Sequence, residues 1–183
     1  MGSFQEFTRM VGCLVATLLV STAFGCAHAE SKQKLSWPAG WTPLSKAVCA
    51  EDWRSDDVLR YCTAQGDFDG DGVVDTAAIA LNEKKTLGIV VWLSSIGNKA
   101  VWVAPNRDLP DYVKYGESLG IKILSPGNYL TVCGKHYREC QKDEPESVTI
   151  NTRSILFFKE GAWGDIVYYD RNAKKLRMIN HSD

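Results

Sequence analysis

Short runs of β-branched and aromatic residues, separated by turn-forming residues, recur from Val58 to Ile179 and predict strands. Val58–Ala64 and Thr76–Leu81 read as two strands rich in short apolar residues, and Leu87–Leu93 is a dense β-branched run. Ala100–Ala104 echoes that run after a Gly97-Asn98 turn, so the two are expected to form a hairpin beside the strand at Thr76. Leu119–Leu124 alternates apolar with polar residues, Ser125–Asn128 is a turn, and Tyr129–Cys133 returns as a strand. Ser147–Ile150, Ser154–Phe158, Asp165–Tyr169 and Lys175–Ile179 complete the series. The last three are expected to form a meander, with Ile155, Phe157, Val167 and Tyr169 as candidate inward positions. Thr42–Ala50 is the one helical candidate, with Thr42 as N-cap and Pro43 at the first helical position. The expected fold is mainly β, with α+β as the alternative: one antiparallel β-rich domain with a short N-terminal helix.

The first 29 residues stand apart from this pattern. Arg9 lies in a short polar start, Met10–Phe24 is apolar, and Ala27-His28-Ala29 offers a cleavage site before Glu30, as in an export signal. The organisation read from the sequence is therefore a signal peptide, 1–29, and a single domain, 30–183, in the periplasm or outside the cell. The apolar run is shorter than the roughly 20 residues of a membrane span, so no transmembrane segment is expected after cleavage. A lipoprotein anchored at Cys26 is the alternative, although Ala23-Phe24-Gly25-Cys26 lacks the usual leucine.

Export changes the reading of the cysteines. Cleavage removes Cys13 and Cys26 and leaves Cys49, Cys62, Cys133 and Cys140 in an oxidising compartment, where two disulfides are the default. Sequence proximity and low loop entropy favour Cys49–Cys62 and Cys133–Cys140. Zinc at Cys133, His136 and Cys140 is the competing reading and lacks a fourth ligand. The net charge of −1 includes no basic stripe, which argues against nucleic acid and anionic lipid as partners.

Asp67-Phe68-Asp69-Gly70-Asp71-Gly72-Val73-Val74-Asp75 sets four carboxylates at alternate positions or nearly so around a glycine turn. Calcium takes six to eight oxygen ligands at about 2.3–2.6 Å, and such a loop can supply them from Asp67, Asp69, Asp71, Asp75 and the Val73 carbonyl. Gly72 falls where an EF-hand loop also places glycine, but Ala78 stands where that loop needs a bidentate Glu. The stretch Gly66–Ala80 resembles instead the DxDxDGxxD calcium motif of FG-GAP and VCBS-type repeats, in which the loop runs into a buried strand. That resemblance implies a bound Ca2+ that pins a β-hairpin and performs no chemistry. The motif occurs once, which excludes a propeller. The order of parts, Asp67–Asp75, Pro126-Gly127, Cys133-Gly134, Val167–Asp170 and Ser182-Asp183, is also similar to a group of small secreted bacterial proteins of unknown role.

HExxH and P-loop signatures are absent, and His136 and His181 are the only histidines of the mature chain. A non-catalytic binding role in the envelope is therefore expected, with Lys135, His136, Tyr137 and Arg138 as the candidate contact with a protein partner, in an inhibitor or immunity-type role. Two alternatives remain open. One is a glycan-binding module using exposed Trp37, Trp41 and Trp163; the other is an envelope hydrolase using carboxylates such as Asp143, Glu144, Glu146 and Glu160.

Overall fold

Leu87–Leu93 is buried at all positions, which a strand achieves only when both faces of its sheet are covered. The computed structural model describes residues 35–49, 61–84, 86–103 and 118–182. The expected leader, residue 50 of the helix, residues 58–60 of the first strand and residue 104 of the hairpin lie outside them.

The described strands are β1 (Thr42–Pro43), β2 (Thr63–Gly66), β3 (Asp75–Leu81), β4 (Leu87–Leu93), β5 (Lys99–Val103) and β6 (Leu119–Leu124). They continue with β7 (Gly127–Leu130), β8 (Ser147–Ile150), β9 (Ser154–Lys159), β10 (Gly164–Asp170) and β11 (Lys175–Ser182). All described pairings are antiparallel. One sheet runs β3-β4-β5, with β1 and β2 both pairing along the outer side of β3; a second runs β11-β10-β9-β6, and β7 pairs with β8. The fold is mainly β, with no closed barrel or propeller. Among the described residues no helix is long and apolar enough to cross a membrane.

The main core lies between the two larger sheets. Ala77, Ile79, Ile89, Val91 and Val103 face Leu119, Ile121, Ile155, Phe157 and Val167 across it. The predicted inward set is correct: Ile155, Phe157 and Val167 are buried, and Tyr169 packs against the same cluster. Register explains the agreement, because Ile155 pairs with Val167 and Phe157 with Ile121, which puts all of them on one face.

The outer face of the first sheet carries a second cluster of Ala78, Ala80, Val90 and Trp92, covered by Leu35, Trp41 and Trp102. Gly88 is small for a local reason, since a Cβ there would stand 2.4 Å from the Trp102 ring. Trp92 donates its indole N–H to the Ser36 carbonyl at 3.0 Å and meets the Trp37 ring edge-on at 4.8 Å. The entry segment is thus a tryptophan strap over the sheet.

Two expected elements differ. The helix is the single turn α1 (Lys46–Cys49), and Thr42-Pro43 instead pairs with Leu81 and Ala80. Ser45 is its cap, with its hydroxyl accepting the Val48 N–H at 3.2 Å, while Pro43 sits in a strand with a partner on one side only, where a missing N–H costs little. The strand expected over Tyr129–Cys133 ends at Leu130, because Lys135 and Tyr137 donate N–H bonds back to the carbonyls of Thr131 and Val132 and curl the chain.

Both disulfides form as expected: Cys49–Cys62 and Cys133–Cys140. The first joins α1 to the approach to β2, and the second closes a loop in the β7–β8 connection.

Candidate metal site and stapled loop

The Asp-rich segment is the connection of a hairpin, for Gly66 pairs with Asp75 and the chain between them forms the loop. Phe68 is its anchor, buried in the main core. That anchor holds the loop backbone against the sheet while the neighbouring carboxylates turn the other way.

Asp67, Asp69 and Asp71 each bring a carboxylate oxygen to within 4.8 Å of the others, a cluster that could hold a metal ion. Loop amides order these carboxylates. Asp67 Oδ1 accepts the N–H of Gly70 at 2.7 Å and of Asp71 at 3.1 Å, and its Oδ2 accepts Gly72 N–H at 3.1 Å. Gly70 and Gly72 both take positive φ, 78° and 88°, a conformation that favours glycine. The donors fit a hard cation: all are anionic oxygens, in a loop already curled without it.

Asp75 has a different place. Its side chain is fully buried; Oδ2 accepts the N–H of Phe68 at 2.7 Å and of Asp69 at 3.3 Å, and Oδ1 accepts the N–H of Ser94 at 2.8 Å. Burial pushes its pKa up, the amide bonds pull it down, and the Asp69 charge adds a further upward push. Asp75 lies outside the three-carboxylate cluster and ties the loop to the end of β4. Val73 is exposed at 55 %, with its N–H held by Asp71 Oδ1 at 2.8 Å.

Four further residues hold the loop that sequence reasoning did not name. Ser94 and Ser95 donate hydroxyls to Asp71 at 2.8 Å and to Asp69 at 2.5 Å. Thr152 donates to the Phe68 carbonyl at 2.8 Å and Arg171 to the Gly70 carbonyl at 3.1 Å. The first pair has a legible signal, since antiparallel register sets the start of β3 beside the end of β4. The second pair reaches across 84 and 101 residues and has none.

The stapled loop presents its four candidate contacts unequally. Tyr137 is exposed at 62 % and His136 is exposed with φ 62°. Arg138 is held by Glu144 through two bonds of 2.6 Å, which keep the Glu144 carboxyl below its ordinary range. Lys135 Nζ lies 3.4 Å from His181 Nε2, whose Nδ1 contacts the Leu130 carbonyl at 2.9 Å. A Lys donor and a carbonyl acceptor set the neutral tautomer with the proton on Nδ1. Burial, with the Lys135 charge, lowers the His181 pKa against the raising effect of the Leu130 bond.

The three indoles proposed for glycan do not form one platform. Trp37 and Trp41 pack on Trp92 and Trp102, whereas Trp163 meets core Phe157 at 5.4 Å and an angle of 73°. His136, Glu139 and Glu146 line a shallow depression beside Cys133–Cys140. Among the described residues no hydrogen bond joins that imidazole to either carboxylate.

No protein-family model, curated protein or solved structure matches the chain.

Proposed function

We propose that the chain is an exported, non-catalytic binding protein of the bacterial cell envelope, held rigid by one Ca2+, that recognises a protein partner in an inhibitor or immunity-type role. The observation that carries the reading is the pairing of a rigid scaffold with an exposed aromatic: Tyr137 is 62 % exposed on a loop closed by Cys133–Cys140 and tied by Val132 to β11. A constrained tyrosine loses little entropy on binding, which suits it to an interface centre.

Calcium is the favoured ion because Asp67, Asp69 and Asp71 supply hard oxygen donors, with the Val73 carbonyl and, after rearrangement of its amide bonds, Asp75 as further ligands. An FG-GAP or VCBS-like role for the loop, a staple on a hairpin, is consistent with the Gly66–Asp75 pairing. Export through a cleaved leader accords with the two disulfides.

The test is a comparison of captured partners. Wild-type protein is expected to retain an envelope protein that Tyr137→Ala and His136→Ala release, with both variants melting as the wild type does. Retention unchanged by either variant would remove the loop from the interface. Capture of oligosaccharide in place of protein would favour the glycan reading, and hydrolysis of an envelope polymer lost in Glu146→Gln would favour the hydrolase.

A further inference from the structure

The two main sheets are joined on one side and parted on the other. Near β2 and β6 the Ile121 N–H reaches the Tyr61 carbonyl at 2.6 Å, whereas at the opposite side β5 and β11 are the ends of their sheets. Between those two edges lies a cavity of about 640 Å³. Its walls are inward-facing side chains from both sheets, Leu93, Val101 and Val103 on one and Tyr169, Leu176 and Met178 on the other. Lys174 and Lys175 stand at its border, and no carboxylate among the described residues lines it. Both lysines are exposed, and neither forms an ion pair among the described residues. Ligand sites typically have volumes of about 300–1,000 Å³, with apolar walls and a few polar groups that fix orientation.

We propose that this groove binds an anionic amphiphile, its aliphatic chain lying among Val101, Leu176 and Met178 and its acidic head on Lys174 and Lys175. The charge of the border selects that occupant. The charge is one-sided, because Asp170, the nearest carboxylate on β10, is engaged by Arg177 at 2.6 Å. Lys99, which opens β5 on the same face as Val101, extends the positive border.

The experiment is isothermal titration of the full mature protein with sodium decanoate and with decyltrimethylammonium, each below its micelle concentration. Decanoate should bind one to one and at least tenfold more tightly than the cation. Lys174→Glu with Lys175→Glu, both exposed changes that spare the core, should weaken decanoate more than tenfold; Met178→Trp should abolish binding by filling the groove. Equal affinity for the two heads, indifference to the lysine pair, or no binding of decanoate would each overturn the proposal. An extended acidic peptide binding where decanoate does not would overturn it as well.

Discussion

Asp75 and Ser94 are joined by a 2.8 Å bond from the Ser94 N–H to Asp75 Oδ1, which closes the acidic loop onto the end of β4. The same carboxylate holds Phe68 and Asp69 through its other oxygen. Asp75 thus serves the fold whether or not an ion is bound.

It follows that Asp75→Ala in the presence of chelator should cost about 3–5 kcal/mol, because buried amide donors are left without an acceptor. Thermal unfolding should fall by on the order of 10 °C. A loss confined to calcium-containing buffer would instead make Asp75 a ligand alone.

Asp69→Ala with Asp71→Ala should behave in the opposite way. Relief of repulsion among three carboxylates within 4.8 Å offsets the lost bonds from Ser94 and Ser95, so in chelator the double variant should lie within about 1 kcal/mol of wild type. Calcium at about 100 times its Kd should add roughly 2.7 kcal/mol to wild type and nothing to the variant. Identical melting curves with and without calcium for the wild type would remove the metal assignment.

Reduction tests the staples. Loops closed by bonds of sequence separation 13 and 7 should contribute about 3 and about 2.5 kcal/mol respectively. Non-reducing mass spectrometry of residues 30–183 should detect no free thiol, and alkylation of four cysteines would contradict the structure.

Gly134 and Gly97 provide a paired comparison. An added Cβ at Gly134 would fall 1.8 Å from the Glu146 carbonyl oxygen, so Gly134→Ala should cost about 2–3 kcal/mol by forcing β7 and β8 apart. Gly97 has open space but a φ of 70°, and its change to Ala should cost only about 1 kcal/mol. Chemical denaturation distinguishes the two.

Burial of His181, with the Lys135 charge beside it, makes the β11 end sensitive to acid. The folded pKa of His181 lies below its unfolded value, so the unfolded chain binds the proton more readily. Stability from this group is fully present above about 6.5 and falls as pH drops from there through the folded pKa. The imidazole is partly exposed and solvent-screened, so the effect should be small, on the order of 1 °C. His181→Gln should flatten that part of the melting profile, and an unchanged slope would remove the histidine as its source.

Much of this molecule was legible from local pattern. Leu87–Leu93, Leu119–Leu124 and Ser147–Ile150 emerged with their expected bounds, because β-branched density and turn residues act over a few positions. The pairings Cys49–Cys62 and Cys133–Cys140 follow likewise from short loops. The cluster of Asp67, Asp69 and Asp71 was legible for the same reason, since spacing and glycine alone bend the loop. The different work of Asp75 was not: its oxygens accept from amides that the β2–β3 hairpin and the β3–β4 register together bring near. Nor could sequence tell that Arg138 is held by Glu144, or that Trp163 packs on Phe157. The groove between β5 and β11 belongs wholly to the tertiary structure, because its walls come from both sheets. Local chemistry determined the strands, the staples and the acidic turn; long-range packing decided which of those side chains remain available to a partner.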